Sequence, residues 1–292
     1  MSDFDLSRIV QSVETLYNPS CSSMEKKEAS QLLSTLSNSE NARFIAMSLM
    51  ESRDPSMWMV LCWSVVVTTN TRIFASNMLL DIMRREWKAC PDESIVEVLR
   101  FAEKYLLSDF SVKCLGDLLV VRKYGQVFGT LMSVSWPSQW KNCIPILFRC
   151  IREDVYHLYL AILIFYSFLM DLNGKEEMTC INGRRKRIKS FVPYAQEMVS
   201  MCASSIGAMS VCEECEIQHE IRITFIQSFI QLESFIPEEV LLECMGVVNG
   251  VVVPLLDQSA YVRDCLGYVG AMVRWICLLL LFPLFFSIIV VS

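Results

Sequence analysis

Glycine is scarce in this chain, at 10 residues of 292, and histidine nearly absent, at two. Few glycines leave little material for the tight phosphate-cradling loops and strained turns on which many enzyme sites are built. No Gly-rich phosphate loop and no nucleophile elbow occurs, so a catalytic reading has little to work with, and no enzyme activity and no cofactor are expected. Charged residues make up only 20%, and their balance is −6. A protein that sheathes nucleic acid along its whole length needs a surplus of Lys and Arg, which this composition excludes outside a local patch. The N-terminus, Met1-Ser2-Asp3-Phe4-Asp5-Leu6, is acidic and carries no apolar leader. The 13 cysteines are scattered, many inside apolar runs such as Leu61-Cys62-Trp63, and read as reduced, buried thiols rather than as a disulfide framework.

What the chain has in quantity is apolar surface, 53% of residues, most of it spaced for helices. Residues 71–91 set the pattern. Ile73, Phe74, Leu79, Leu80, Ile82, Met83 and Trp87 form a broad helical stripe that ends on a tryptophan and, at Pro91, a proline. Arg72, Asn77, Asp81 and Arg84 lie off that stripe and are the expected partner-facing positions. A weaker copy follows at 124–140, where an apolar segment ends on Trp136 and is broken by Pro137. The two tryptophans stand 49 positions apart. That separation lies near the upper end of two-helix repeat periods, in which a unit buries its apolar face only by stacking on the next.

Elsewhere the same helical alternation holds. Leu6, Ile9, Val10, Val13 and Leu16 share a face, closed by Asn18-Pro19, and Ser22 with Glu25 forms a candidate capping box for a helix carrying Ala29, Leu32, Leu33 and Leu36. A helix over 41–51 precedes the run 57–69, strand-like by propensity but read as a buried helix from its neighbours. Asp92 is the expected cap of a helix with Ile95, Val98, Leu99, Ala102 and Leu106 on one side. A long helix leads to Trp136, Pro137 suits the first turn of the next, and Pro145 is a candidate bend. Residues 153–171 form an inner helix and 172–183 a loop. The basic run Arg184, Arg185, Lys186, Arg187, Lys189 then opens a helix to about Met209. Helices near 217–235 and 238–248 follow; Asn249-Gly250 among valines reads either as helix or as the turn of a small hairpin. The expected division is 1–171 as N-terminal repeats, 172–189 as loop and basic segment, 190–274 as further repeats and 275–292 as an apolar tail.

Three features admit a sharper reading. Cys212, Cys215 and His219 stand at zinc-like spacing with Cys202 as a fourth ligand, but the second matched pair of a structural site is missing, so no metal is expected. His157, among aromatics, reads as core. The basic run is a solvated helix start, a contact for RNA phosphates or an acidic partner, or a targeting signal.

Ile73-Phe74-Ala75-Ser76-Asn77-Met78-Leu79-Leu80-Asp81 with Arg85-Glu86-Trp87, the Ser135-Trp136-Pro137-Ser138-Gln139-Trp140 stretch, and Arg184-Arg185-Lys186-Arg187-Ile188 preceded by Glu153-Asp154-Val155 together resemble the N-terminal part of the importin-β superfamily, and within it the exportins. The resemblance covers about residues 40–210. It implies an all-α, α-solenoid stack of HEAT-like antiparallel helix pairs, about six of them. It also implies a nuclear transport receptor that binds the Ran GTPase in its GTP form, passes the nuclear pore proteins and shuttles between nucleus and cytoplasm. In one branch of the exportins the cargo is double-stranded RNA such as microRNA precursors. Past Ala271-Met272-Val273-Arg274-Trp275-Ile276 the chain departs from the family. From Trp275 to Ser292 it is uncharged, with Pro283 in the middle, and 18 helical residues span about 27 Å against a hydrocarbon core of roughly 30 Å. The expectation is a truncated product; the alternative is a tail anchor, which would make the protein a membrane-tethered scaffold. A soluble repeat adaptor without Ran dependence is a third reading.

Overall fold

The computed structural model describes residues 6–51, 67–108, 117–173, 181–209, 216–255, 261 and 263–273, with the backbone alone for 181–183. Every regular element among them is helical, and two compact units divide the chain, 1–150 and 151–292. The expected boundary at 171 therefore falls inside the second unit. The run 57–69, Cys212, Cys215 and the tail 275–292 lie wholly or mostly outside the described residues.

The first unit holds α1 (Leu6–Tyr17), α2 (Ser23–Ser37), α3 (Ala42–Glu51), α4 (Thr69–Glu86), α5 (Asp92–Leu106), α6 (Leu118–Ser135) and most of α7 (Cys143–Glu153). The Ser22/Glu25 box forms as read. The Glu25 amide donates to Ser22 Oγ at 3.3 Å and the Ser22 amide to Glu25 Oε2 at 2.7 Å. α4 begins at Thr69, two residues before the stretch 71–91, because Thr68 accepts from the Thr71 amide at 3.3 Å and caps it. Asp92 does not cap α5. Pro91 holds the cap position, and Asp92 and Glu93 sit in the first turn, where their charge meets the positive end of the helix dipole. Pro137 lies in the turn after α6 and not in a helix; α7 starts only at Cys143, so Pro145 occupies its first turn, where its missing N–H breaks nothing.

Side-chain contacts fix how these helices stack. Trp87 Nε1 donates to Gln139 Oε1 at 3.2 Å across 52 residues, and Arg72 lies close enough to Tyr124 for its charge to act on the phenol. The start of α4 thus meets α6, and the turn after α4 meets the turn after α6, in the same order, so the two helices run parallel. The pair α3 and α5 repeats this: Arg43 Nη2 donates to Ser94 Oγ at 2.9 Å across 51 residues, and Glu51 pairs with Lys104 across 53. A register of about fifty residues between parallel helices is what the spacing of the two tryptophans implies. Between α5 and α6 an aromatic cluster forms the core: Tyr105 meets Tyr124 edge-on at 5.2 Å, and Phe101 and Phe128 close the group at 5.6–6.2 Å.

The second unit contains α8 (Val155–Asn173), α9 (Ile181–Gly207), α10 (Glu216–Leu232), α11 (Glu238–Val252) and α12 (263–273). α8 runs to Asn173 and α9 starts at Ile181, so the loop expected over 172–183 is shorter at both ends. Tyr159 Oη donates to Glu220 at 3.4 Å and Asn173 Nδ2 to Gln231 Oε1 at 2.7 Å, which makes α8 and α10 parallel. α12 follows in that layer, with Gln227 Nε2 on Asp264 at 3.0 Å and the Phe229 ring on Tyr268 at 5.8 Å. α9 returns antiparallel to α8, Phe191 packing on Phe165 and Phe168 at 5.6 and 5.4 Å while Ser205 reaches the Ile151 carbonyl. α9 and α11 pack together in the other layer. Each unit is therefore a two-layer stack of antiparallel helix pairs, the HEAT-like α-solenoid arrangement. The hairpin alternative at Asn249-Gly250 is overturned: both residues lie in α11, where the surrounding valines are half of a helical buried face.

Candidate interaction surfaces

Helical stacks offer faces rather than clefts, and the outward face of α4 is the first to weigh. α4 is flanked by α1, α3 and α6, so burial takes in more than one stripe: Thr71, Arg72, Ala75, Ser76, Met78, Leu79, Leu80, Ile82 and Met83 are all inside. Among the residues left outward, Ile73, Asn77, Asp81 and Arg84 form a line at helical spacing, with Asp81 and Arg84 exposed and Ile73 and Asn77 half-buried; Phe74 is half-buried beside it, and Arg85 and Glu86 are exposed at the helix end. Three of the four expected partner-facing residues thus stand together.

Arg72 does not join them. It is 8% exposed and lies by Tyr124, whose own hydroxyl donates to the Met50 carbonyl at 2.9 Å. Burial raises the Tyr124 pKa, and the Arg72 guanidinium pulls it back in part. The signal that places Arg72 inside is its neighbours: Thr71, Ala75 and Ser76 are small enough to let a second helix approach closely, and a face of small residues buries as readily as one of large apolar ones. Arg72 is therefore buried between α4 and α6 and not on the outward line.

The basic run occupies the first turns of α9. Arg185, Lys186 and Lys189 are exposed and share a side of the helix; Arg184 and Arg187 are half-buried, Arg184 with its guanidinium 5.9 Å from the centroid of Phe235. Phe191, buried among the α8 phenylalanines, and Arg184 against Phe235 tie this end of α9 to the second unit. Three solvent-facing cations on one side of the opening turns of α9 make a surface that favours anions. Pro193 lies inside α9, leaving the carbonyl of Lys189 without its ordinary helical donor.

Of the candidate metal set only His219 and Cys202 lie among the described residues, Cys212 and Cys215 falling outside them. His219 lies with its ring 4.7 Å from Tyr261, and Cys202 is buried in α9 with its thiol pushed up to about 12 by burial, which disfavours the thiolate a metal needs. His157, 2% exposed, is core as read. Its Nδ1 lies 3.0 Å from Asp154 Oδ1, and that oxygen also accepts the Tyr156 and His157 amides, capping α8. α8 is long and apolar enough to cross a membrane, but it is the buried helix of its unit, packed on α9 and α10.

This fold defines a class, the all-α stacks of HEAT-like helix pairs. A search against models of known protein families finds no match, and none is found among curated proteins.

Proposed function

We propose that this chain is the N-terminal repeat region of an exportin-like nuclear transport receptor, which binds Ran in its GTP form and carries structured RNA past the nuclear pore proteins, shuttling between nucleus and cytoplasm. The observation that carries this reading is the parallel register of about fifty residues between α3 and α5 and between α4 and α6, which falls on the segments that resemble the exportins. Work of this kind requires an extended surface of polar helix positions held at fixed spacing, and Asn77, Asp81 and Arg84 provide such a line on α4. Arg185, Lys186 and Lys189 are the contacts for RNA phosphates. They suit a sequence-independent partner because cations on one side of a helix read backbone charge and not base edges.

The test is retention of Ran on the immobilised full chain, with Ran loaded with GTP or with GDP. Retention of the GTP form alone, reduced by Asp81→Arg and by Arg84→Glu, is the expected result. Equal retention of both forms, or none, by a chain shown to be helical removes the transport reading. For RNA, Arg185, Lys186 and Lys189 changed together to Ala should weaken binding of a hairpin duplex. The log–log salt slope should fall by about 0.7–0.9 for each phosphate that the protein no longer neutralises.

A further inference from the structure

Ser190 closes the basic run of α9. Arg184, Arg185, Lys186, Arg187 and Lys189 all stand in the six residues before it, with Arg187 three positions upstream and Arg185 five. The serine is half-buried, and on the helix it sits one turn after Lys186 and Arg187, at i+4 and i+3 from them. Serines inside other helices turn their hydroxyls back onto the carbonyl four residues earlier, as Ser76, Ser133 and Ser228 do. The Ser190 hydroxyl makes no hydrogen bond among the described residues. The backbone beside it is also weakened. Pro193 leaves the Lys189 carbonyl without a helical donor, and a turn short of one hydrogen bond opens more readily.

We propose that Ser190 is the phosphorylation site of a serine kinase that selects arginine three residues before the acceptor, and that its phosphate switches off the anion-favouring surface of α9. The donor is ATP. The bond from the γ-phosphorus to the ADP oxygen breaks, a bond to Ser190 Oγ forms, and the hydroxyl proton passes to the kinase's catalytic carboxylate. Carboxylates lining such a kinase's cleft take up the basic residues, and opening of the turn at Pro193 presents the acceptor in extended form. Phosphoserine carries a charge of about −1.5 to −2. It lies within about 8 Å, along the helix axis, of Arg185, Lys186, Arg187 and Lys189, inside the Debye length of about 10 Å at 0.1 M salt. Up to two of the run's five positive charges are thereby cancelled. The switch rests on the reading of Arg185, Lys186 and Lys189 as contacts for RNA phosphates; the modification itself does not.

Incubating the full chain with ATP and the catalytic domain of an arginine-directed serine kinase, followed by tandem mass spectrometry, tests the site. The expected product carries one phosphate, on Ser190. It is absent from Ser190→Ala and forms at least about tenfold more slowly in Arg187→Gln, at unchanged circular dichroism. Ser204, exposed on the same helix but with Met201 three places before it, should stay unmodified. No phosphate at Ser190 in a chain shown to be helical, or equal incorporation at Ser204, would overturn the proposal. Binding of a hairpin duplex then separates the switch from the RNA reading. Phosphorylation should weaken it about tenfold at physiological salt and flatten the log–log salt slope by about 1–2. Equal affinity before and after phosphorylation overturns the switch and leaves the RNA reading standing. A parent chain that binds no duplex sinks the RNA reading and the switch together, and the mass spectrum alone then decides the Ser190 site.

Discussion

Replacing Tyr124 by Phe isolates one hydrogen bond in the centre of the first unit. Tyr124 is fully buried, its ring held edge-on by Tyr105 at 5.2 Å and by Phe128 at 6.3 Å, and its hydroxyl donates to Met50 O at 2.9 Å. Met50 lies in the last turn of α3 and is itself buried, so its carbonyl is among those a helix end leaves without an intrahelical donor. Phe keeps the ring packing and removes the donor. The cost is the penalty of a buried acceptor left unmet, about 1–3 kcal/mol, which for a unit of this size lowers Tm by roughly 2–4 °C per kcal/mol. Urea unfolding followed by circular dichroism should show a lower midpoint at unchanged slope. Tyr124→Ala, which also empties the ring site, should cost about 3–5 kcal/mol.

The pH dependence gives a second handle on the same residue. Burial raises the Tyr124 pKa in the folded state, so its contribution is fully present below the unfolded value of about 10 and is lost as pH rises beyond it. Above that point the parent should lose about 1.4 kcal/mol per pH unit that the Phe variant does not lose, narrowing the gap between them. A Phe variant within about 0.3 kcal/mol of the parent at neutral pH, or a gap that stays constant up to pH 11, would refute the Met50 bond and the burial it implies.

Other outcomes follow from the same structure. Gly250→Ala should stabilise by about 0.5–1 kcal/mol in thermal unfolding, since the residue is helical and a Cβ there meets nothing within 4 Å; destabilisation would restore the hairpin at Asn249-Gly250. Ser22→Ala should speed amide exchange in the first turn of α2 and leave α5 unchanged. Hydrogen bonding to Ser22 holds the Glu25 carboxyl below its ordinary value, so the box helps above the unfolded pKa of about 4.5 and fades as pH falls through the lower folded value, a loss of protection measurable by exchange. Cys202→Ala should flatten the alkaline loss of stability, because the buried thiol keeps its proton to about 12 while the unfolded one releases it near 9. The difference amounts to about 1.4 kcal/mol per pH unit between those values.

Some of this architecture is written locally. The Ser22/Glu25 box depends on residues three apart, and the stripe Ile95, Val98, Leu99, Ala102 and Leu106 of α5 is buried at the helical spacing read along the chain, with Phe101 and Tyr105 added to it by α6. Each needs no knowledge of the rest of the chain, so the sequence alone determines it. The separation of Trp87 and Trp136 likewise carries the stacking distance, because a repeat that buries its face on the next must return at a fixed interval.

Tertiary packing decides the rest. α4 touches helices on three sides, so its buried arc widens to take in Arg72, and the outward line shifts to one that includes Ile73; no pattern within 71–91 says how many neighbours will arrive. Asn249-Gly250 is a turn signal that loses to the helical burial of Val248, Val251 and Val252 on either side. Asp92 is displaced from the cap by Pro91, whose fixed φ suits the position before the helix. Local hydrogen bonding and periodicity are properties of a few neighbouring residues and can be read along the chain. Which polar residues are left facing outward depends on surface removed by segments about fifty positions away, and only the assembled stack determines that.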